Sequence, residues 1–264
     1  MAWSLDGSNS AVFGGSRGAD GVVTLTTSLA DDIIILQIST ETDTLPAQTV
    51  ASVSGGGLTW ALRKRLAWTN SSDSTPNNHE IWWAHAPAPL AGVTITATMT
   101  GTIDDGTVTA FGVNGSSHFT NPWDGNASLP GTATNLTGTD PGTQTVTGIS
   151  TNAASGIMLE FICSDAQANF VPESSPLSFT GIENPQNSYN TLWEYADQAY
   201  HIFSSVIAGA SITYSTTLGK NGMIVDALSN GGGGPGLSPV EAPDVMAFVG
   251  HVEIPHARRT FFIC

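Results

Sequence analysis

Three glutamates, Glu80, Glu160 and Glu194, stand in apolar or aromatic surroundings (HEIWWA, IMLEFI, LWEYA). A pair of such carboxyls is what a glycosidase needs, one as acid and the other as base or nucleophile, and strands can bring together residues far apart in sequence. Single buried glutamates with hydrogen-bond partners are far commoner than catalytic pairs, so the expectation is a non-enzymatic protein. His79 and His85 fall on one side of one strand, but six residues at ~3.3 Å each separate them by ~20 Å, too far to share a metal. They are expected at the surface or in cross-strand pairs. His118, His201, His251 and His256 sit in unrelated segments. There is no G-x-S-x-G, H-E-x-x-H, P-loop or EF-hand pattern. Asp31-Asp32 and Asp104-Asp105 lack the alternating Asp-x-Asp of a calcium loop and read as turn and strand starts. No cofactor and no metal are expected.

Six of the seven tryptophans, Trp60, Trp68, Trp82, Trp83, Trp123 and Trp193, offer another chemistry, because a flat aromatic face complements the apolar face of a pyranose. Trp82 and Trp83 are adjacent in a strand and must point opposite ways, so at least one is core. Trp68 and Trp123 are the candidates for an outward glycan-stacking surface.

The elements that would position these residues occur twice. Residues 91–115, AGVTITATMTGTIDDGTVTAFGVNG, return as residues 208–231, AGASITYSTTLGKNGMIVDALSNG. Each copy reads as an alternating strand, a Gly-containing turn, an apolar strand and a closing Asn-Gly. Val93, Ile95, Ala97 and Met99 take one side of the first copy, with Thr94, Thr96 and Thr98 on the other. In the second, Ile212, Tyr214 and Leu218 face inward while Ser211, Thr213, Ser215 and Thr217 face water. Asp105-Gly106 and Asn221-Gly222 are hairpin-turn signals, so each copy is expected to fold as an antiparallel hairpin.

Upstream, VVTLTTS (22–28) and IIILQI (33–38) parallel QTVTG (144–148) and IMLEFIC (157–163), with 79–84 and 200–205 as a third matching strand. The almost wholly apolar second members suit strands covered on both faces or lying mid-sheet. Composition agrees: 264 residues, 40% hydrophobic, only 11% charged, with 29 Gly and 14 Pro, is turn-rich β composition. The fold class expected is therefore all-β, an antiparallel β-sandwich of jelly-roll-like type built from two similar halves, with a C-terminal arm.

Residues 1–18 form a Ser/Gly-rich lead-in to a sandwich spanning 1–230, with half-repeats at 19–115 and 140–230. Residues 116–140 should be an ordered loop, 231–239 (GGGGPGLSP) a Gly/Pro linker and 240–264 the arm. The arm ends HARRTFFIC, two of the seven basic residues beside two aromatics. On an otherwise anionic protein, Arg258, Arg259, Phe261 and Phe262 read either as a tail docking on another subunit or as one folding back on its own sheet. Cys163 is expected as a buried free thiol. Cys264, terminal and unpaired, could cross-link subunits, adding ~2–4 kcal/mol.

A net charge of −15 argues against nucleic-acid and anionic-membrane partners. No 18-residue apolar span occurs, and neither a membrane anchor nor a Sec signal is expected from MAWSLDGSNS.

The series GLTW (57–60), EIWWAHAPA (80–88), AGVTITATMTG (91–101), TAFGVNG (109–115) and EAPDVMAFVG (241–250) resembles a β-sandwich module of tailed-bacteriophage structural proteins, over roughly 19–250. The resemblance implies a head decoration or cement protein on the exterior of the virion, or a tail-tip or fibre component. Its partners would be other virion proteins such as the major capsid or tail protein. No catalytic residue is carried over. Shared edge strands make a homo-oligomer the expected form, a trimer among the options. From a different class, the tryptophans leave a carbohydrate-binding or adhesion module as the alternative, with a host-surface glycan as ligand.

Overall fold

The computed structural model describes residues 2–15, 20–43, 46–70, 75–136, 142–165, 169–189, 192–216 and 219–230. All lie in one compact unit, Met1–Gly234. The linker at 231–239 and the arm at 240–264, with Arg258, Arg259, Phe261, Phe262 and Cys264, lie outside the described residues, as do Thr217 and Leu218.

Sixteen strands form among the described residues, in two successive sets. The first is β1 (Ser4–Phe13), β2 (Gly21–Leu25), β3 (Asp32–Glu41), β4 (Val50–Gly55), β5 (Ala61–Thr69), β6 (Pro76–Ala86), β7 (Val93–Met99) and β8 (Asp105–Asn114). The second is β9 (Gly131–Asn135), β10 (Gly142–Ile149), β11 (Gly156–Ser164), β12 (Thr180–Gly181), β13 (Gln186–Tyr189), β14 (Leu192–Phe203), β15 (Ala210–Thr216) and β16 (Asn221–Ser229). Both divide in the same way. The first makes a large sheet β1-β8-β3-β6-β5 and a small one β2-β7-β4. The second makes β9-β16-β11-β14, with β12 and β13 beside β14, and a small sheet β10-β15. A bridge from Val171 to Ser215 of β15 takes the place that β4 takes beside β7. The all-β sandwich of two similar halves thus forms, and each half contributes two sheets.

Three apolar layers hold the sheets together. Ile34, Leu36, Ile38, Ile95, Ala97 and Val108 fill the space between the sheets of the first half. Met158, Ile162, Ile212, Tyr214 and Met223 do so in the second. Between the two large sheets, Ile33, Ile35 and Phe111 meet Leu159, Phe161 and Ile224, with the Phe111 and Phe161 rings stacked at 6.3 Å. This middle layer explains the unbroken apolar runs: β3 and β11 lie inside their sheets and are covered on both faces, so every residue of each is buried. β7 has one wet face and alternates.

Two expectations are corrected. The paired strands are not hairpins: β7 and β15 lie in the small sheets while β8 and β16 lie in the large ones, so each link arches from layer to layer. Asp105-Gly106 and Asn221-Gly222 are the first residues of buried strands, and Asp105 and Asn221 are wholly buried. A strand apolar on both faces belongs in the doubly covered sheet, a strand apolar on one face belongs outside, and an arch satisfies both. The Ser/Gly-rich lead-in is a strand, β1, whose ladder to β8 bulges between Asp6 and Ser8. At the bulge Gly7 has a φ of 74°, and a Cβ there would meet the Thr26 carbonyl at 2.1 Å. Polar composition hid this strand because it is the edge of its sheet and buries only Asp6 and Phe13 of its ten residues.

Candidate functional site

The duplicated ladders place two acidic residues at the same station. Ile38 of β3 faces Glu80 of β6, and Ile162 of β11 faces Asp197 of β14. Both carboxyls therefore point into the inner space of their own half, among apolar neighbours where an uncompensated charge is costly.

Glu80 is fully buried and fully answered. Arg65 sits directly opposite it on β5 and donates from Nε and Nη2 at 2.8 and 3.2 Å. The Val50 amide at 2.9 Å, the Asn78 amide nitrogen at 2.9 Å and the Trp82 indole at 2.8 Å complete the shell. Five donor atoms around one carboxylate, two of them from a guanidinium, make an internal tie.

Asp197 has a sparser shell. Asn184 donates at a long 3.4 Å, the Tyr214 hydroxyl lies beside it, and burial pushes its pKa up to about 7. Glu160, on the same side of β11, is wholly buried, and neither of its oxygens has a hydrogen-bond partner among the described residues. Burial, then the charges of Glu173 and Asp197, push its pKa up to about 9, so it is a neutral acid at pH 7. Burial likewise raises Tyr214, reinforced by Asp197 and Glu160. Glu173 accepts from the Thr213 amide at 2.7 Å. Asp197 opens on a cleft of about 550 Å³ whose walls include Val171, Phe179, Ile182, Glu183 and Asn184. Glu183 at its rim accepts from Ser8 Oγ of β1 at 2.7 Å. A cleft of this size, with convergent polar groups and raised carboxyl pKa values, is a candidate site among the described residues.

The three glutamates singled out by sequence are not brought together as a pair. Glu80 belongs to the first inner space and Glu160 to the second. Glu194 is at the joint between halves, where Ser39 Oγ donates to it and where burial, then Glu41, Asp165 and Asp105, raise its pKa. Asp197, whose charge acts on Glu160, was missed; its one signal was its register with Glu80 in the repeat.

Trp68 and Trp123 are corrected: only 7% and 3% of their surfaces are exposed, so neither offers a stacking face. Trp68 covers Gly222, where a Cβ would come within 2.5 Å of the ring. Trp123 lies under the Arg63 guanidinium at 4.7 Å and edge-on to Trp83 at 6.4 Å. Their large apolar areas join the halves instead of facing solvent. Of the two placements expected for His79, surface or cross-strand, the second holds: it is wholly buried on β6 against the Gln37 amide of β3 at 2.8 Å, and burial lowers its pKa to about 3, so it is neutral. His85 pairs with Asp31 at 3.1 Å and stacks on Phe119. Cys163 is buried and free, as expected. Among the described residues no group of three His, Cys, Asp or Glu could hold a metal ion, and no helix is long and apolar enough to cross a membrane.

No protein-family model, no curated protein and no solved structure matches this chain.

Proposed function

We propose that this chain is a non-enzymatic structural protein of a tailed-phage virion, a decoration or cement subunit on the outside of the head, with a tail-tip or fibre module as the second location. One observation carries the reading: two copies of a sandwich are stacked through their large sheets, and polar side chains of long reach are used to tie them. Arg63 of β5 binds Asp226 of β16 through two nitrogens at 2.7 and 3.1 Å. Asn187 donates to the Phe13 and Gly106 carbonyls at 2.7 and 3.1 Å. Close packing and these ties make a stiff body, which suits a component that covers or reinforces a shell. The resemblance of residues 19–250 to virion sandwich modules supports the same reading. The basic aromatic end, with Arg258, Arg259, Phe261 and Phe262, is the proposed attachment, and sister subunits cover the open edges of the small sheets.

The carbohydrate-binding reading loses both of its stacking residues to the interior and is not carried forward. The test is purification of the particles. The chain should travel with intact particles at a fixed stoichiometry, and removal of residues 240–264 should leave a folded sandwich that no longer joins them. Recovery of the full chain only in the free fraction, with particles intact, overturns the proposal.

A further inference from the structure

The repeat supplies its own control experiment. In the first half the buried carboxylate at the shared station meets a cation from the neighbouring strand, Arg65 of β5. In the second half β12 holds the place of β5 beside β14, but it lasts only from Thr180 to Gly181. The chain then runs on loosely: the Ile182 amide donates to the Gln198 carbonyl at 2.7 Å, and the Gln198 amide to the Glu183 carbonyl at 3.3 Å. Alongside Asp197 it presents an acid, Glu183, in place of a base. Where the first half holds a guanidinium, the second has a cleft of about 550 Å³ with no Lys, Arg or His in its described lining.

We infer that the cleft beside Asp197 binds a cationic group on an apolar stem, a guanidinium or alkylammonium, which occupies in the second half the place Arg65 occupies in the first. Asp197 supplies the buried carboxylate, only 5% exposed. Glu183 at the rim supplies a second acceptor. Phe179 offers a ring to the cation, and Val171 and Ile182 offer apolar wall to the methylene stem. At Asp197 the incoming donor joins the long Asn184 contact, the Gln198 backbone amide and the Tyr214 hydroxyl, none of which carries a positive charge. A net charge of −15 steers cations toward the molecule.

The experiment is calorimetric titration of the full chain at pH 8 with butylguanidine and with its neutral isostere butylurea, which differ chiefly in charge. Butylguanidine should bind saturably at one site. Butylurea, or butylguanidine with Asp197→Asn, should bind at least ~10-fold more weakly, as expected for loss of a charge-assisted bond. Equal affinity for the two probes, an unchanged affinity in Asp197→Asn, or no saturable binding overturns the inference. Gly181→Arg keeps the test decisive if Asp197→Asn fails to fold. A Cβ at Gly181 meets nothing within 4 Å, so an arginine there can supply the cation in cis. It should raise Tm and abolish butylguanidine binding; undiminished binding counts against the site. A blocked tripeptide, Ala-Arg-Ala, separates the sources. Binding at least as tight as butylguanidine assigns the site to a side chain of a protein partner, and binding of butylguanidine alone assigns it to a small free amine or guanidine.

Discussion

The first half of the molecule and the second share strand order, register and the station of a buried acid, yet they treat that acid in opposite ways. Glu80 receives two hydrogen bonds from a guanidinium and three from other donors, whereas Asp197 stands beside a second carboxyl, Glu160, and an open cleft. At the station of Glu160 the first half has Leu36, which lies opposite Trp82 as Glu160 lies opposite Ala199. Topology is thus set by the apolar pattern, which the copies keep. The electrostatics are set by a few polar positions, which they do not. One copy is built for cohesion, and the other holds buried carboxyls beside which the described residues place no cation.

Breaking the cohesive side should give the largest effect. Arg65→Met leaves Glu80 fully buried without its cation, and thermal or denaturant unfolding should show a loss of ~3 kcal/mol, toward the low end for a broken buried pair because Arg65 is itself 37% exposed. Adding Glu80→Leu should recover most of it. Asp197→Asn, the corresponding change in the other half, should cost little or add stability at pH 8.

The next effect is a pH dependence belonging to the second half alone. Glu160 has its pKa raised from 4.5 to about 9 by folding, so its contribution is complete below pH 4.5 and is lost as pH rises toward 9. Between pH 7 and pH 9 the unfolded chain has already released this proton and the folded chain has not, which removes ~3 kcal/mol over that interval. His79 does not interfere, since it is neutral in both states there; its own contribution is present above pH 6.5 and lost as pH falls toward about 3. Tm measured from pH 7 to pH 9 should fall for the native chain and fall less steeply for Glu160→Leu, whose remaining slope comes from Glu194, raised by burial in the same way. An equal slope in both would remove Glu160 as its source.

Smaller still is a pair of glycine changes. Gly222→Ala places a Cβ within 2.5 Å of the Trp68 ring at the joint and should cost ~1–3 kcal/mol by overpacking, whereas Gly181→Ala, facing open space, should stay within ~0.5 kcal/mol of the native chain. Chemical denaturation of both variants checks the contrast.

Much of the framework was legible in the sequence. Alternation in 93–99 and 210–216 marked strands with one dry face, and the unbroken runs at 33–38 and 157–163 marked strands dry on both. The arches were not legible, because Asp-Gly and Asn-Gly allow a sharp change of direction without saying whether the next strand pairs with the last or crosses to another sheet. Trp68 and Trp123 misled because their neighbours, AWTNSSD and NPWDGN, are polar in sequence, while what covers them comes from the other half. Asp197 was hidden for the opposite reason: EYADQAY reads as an ordinary alternating strand, and only the register of β11 with β14 reveals that its aspartate points inward among carboxyls.

The face-to-face contact of the large sheets has an ancestral implication. A single unit of this kind, standing alone, would leave Ile33, Ile35 and Phe111 bare and would find a second copy to cover them. Joining both units in one polypeptide turns that encounter into an intramolecular one at a permanently high effective concentration. From then on the partners need not remain identical, and one could drift toward recognition while its twin preserved the joint.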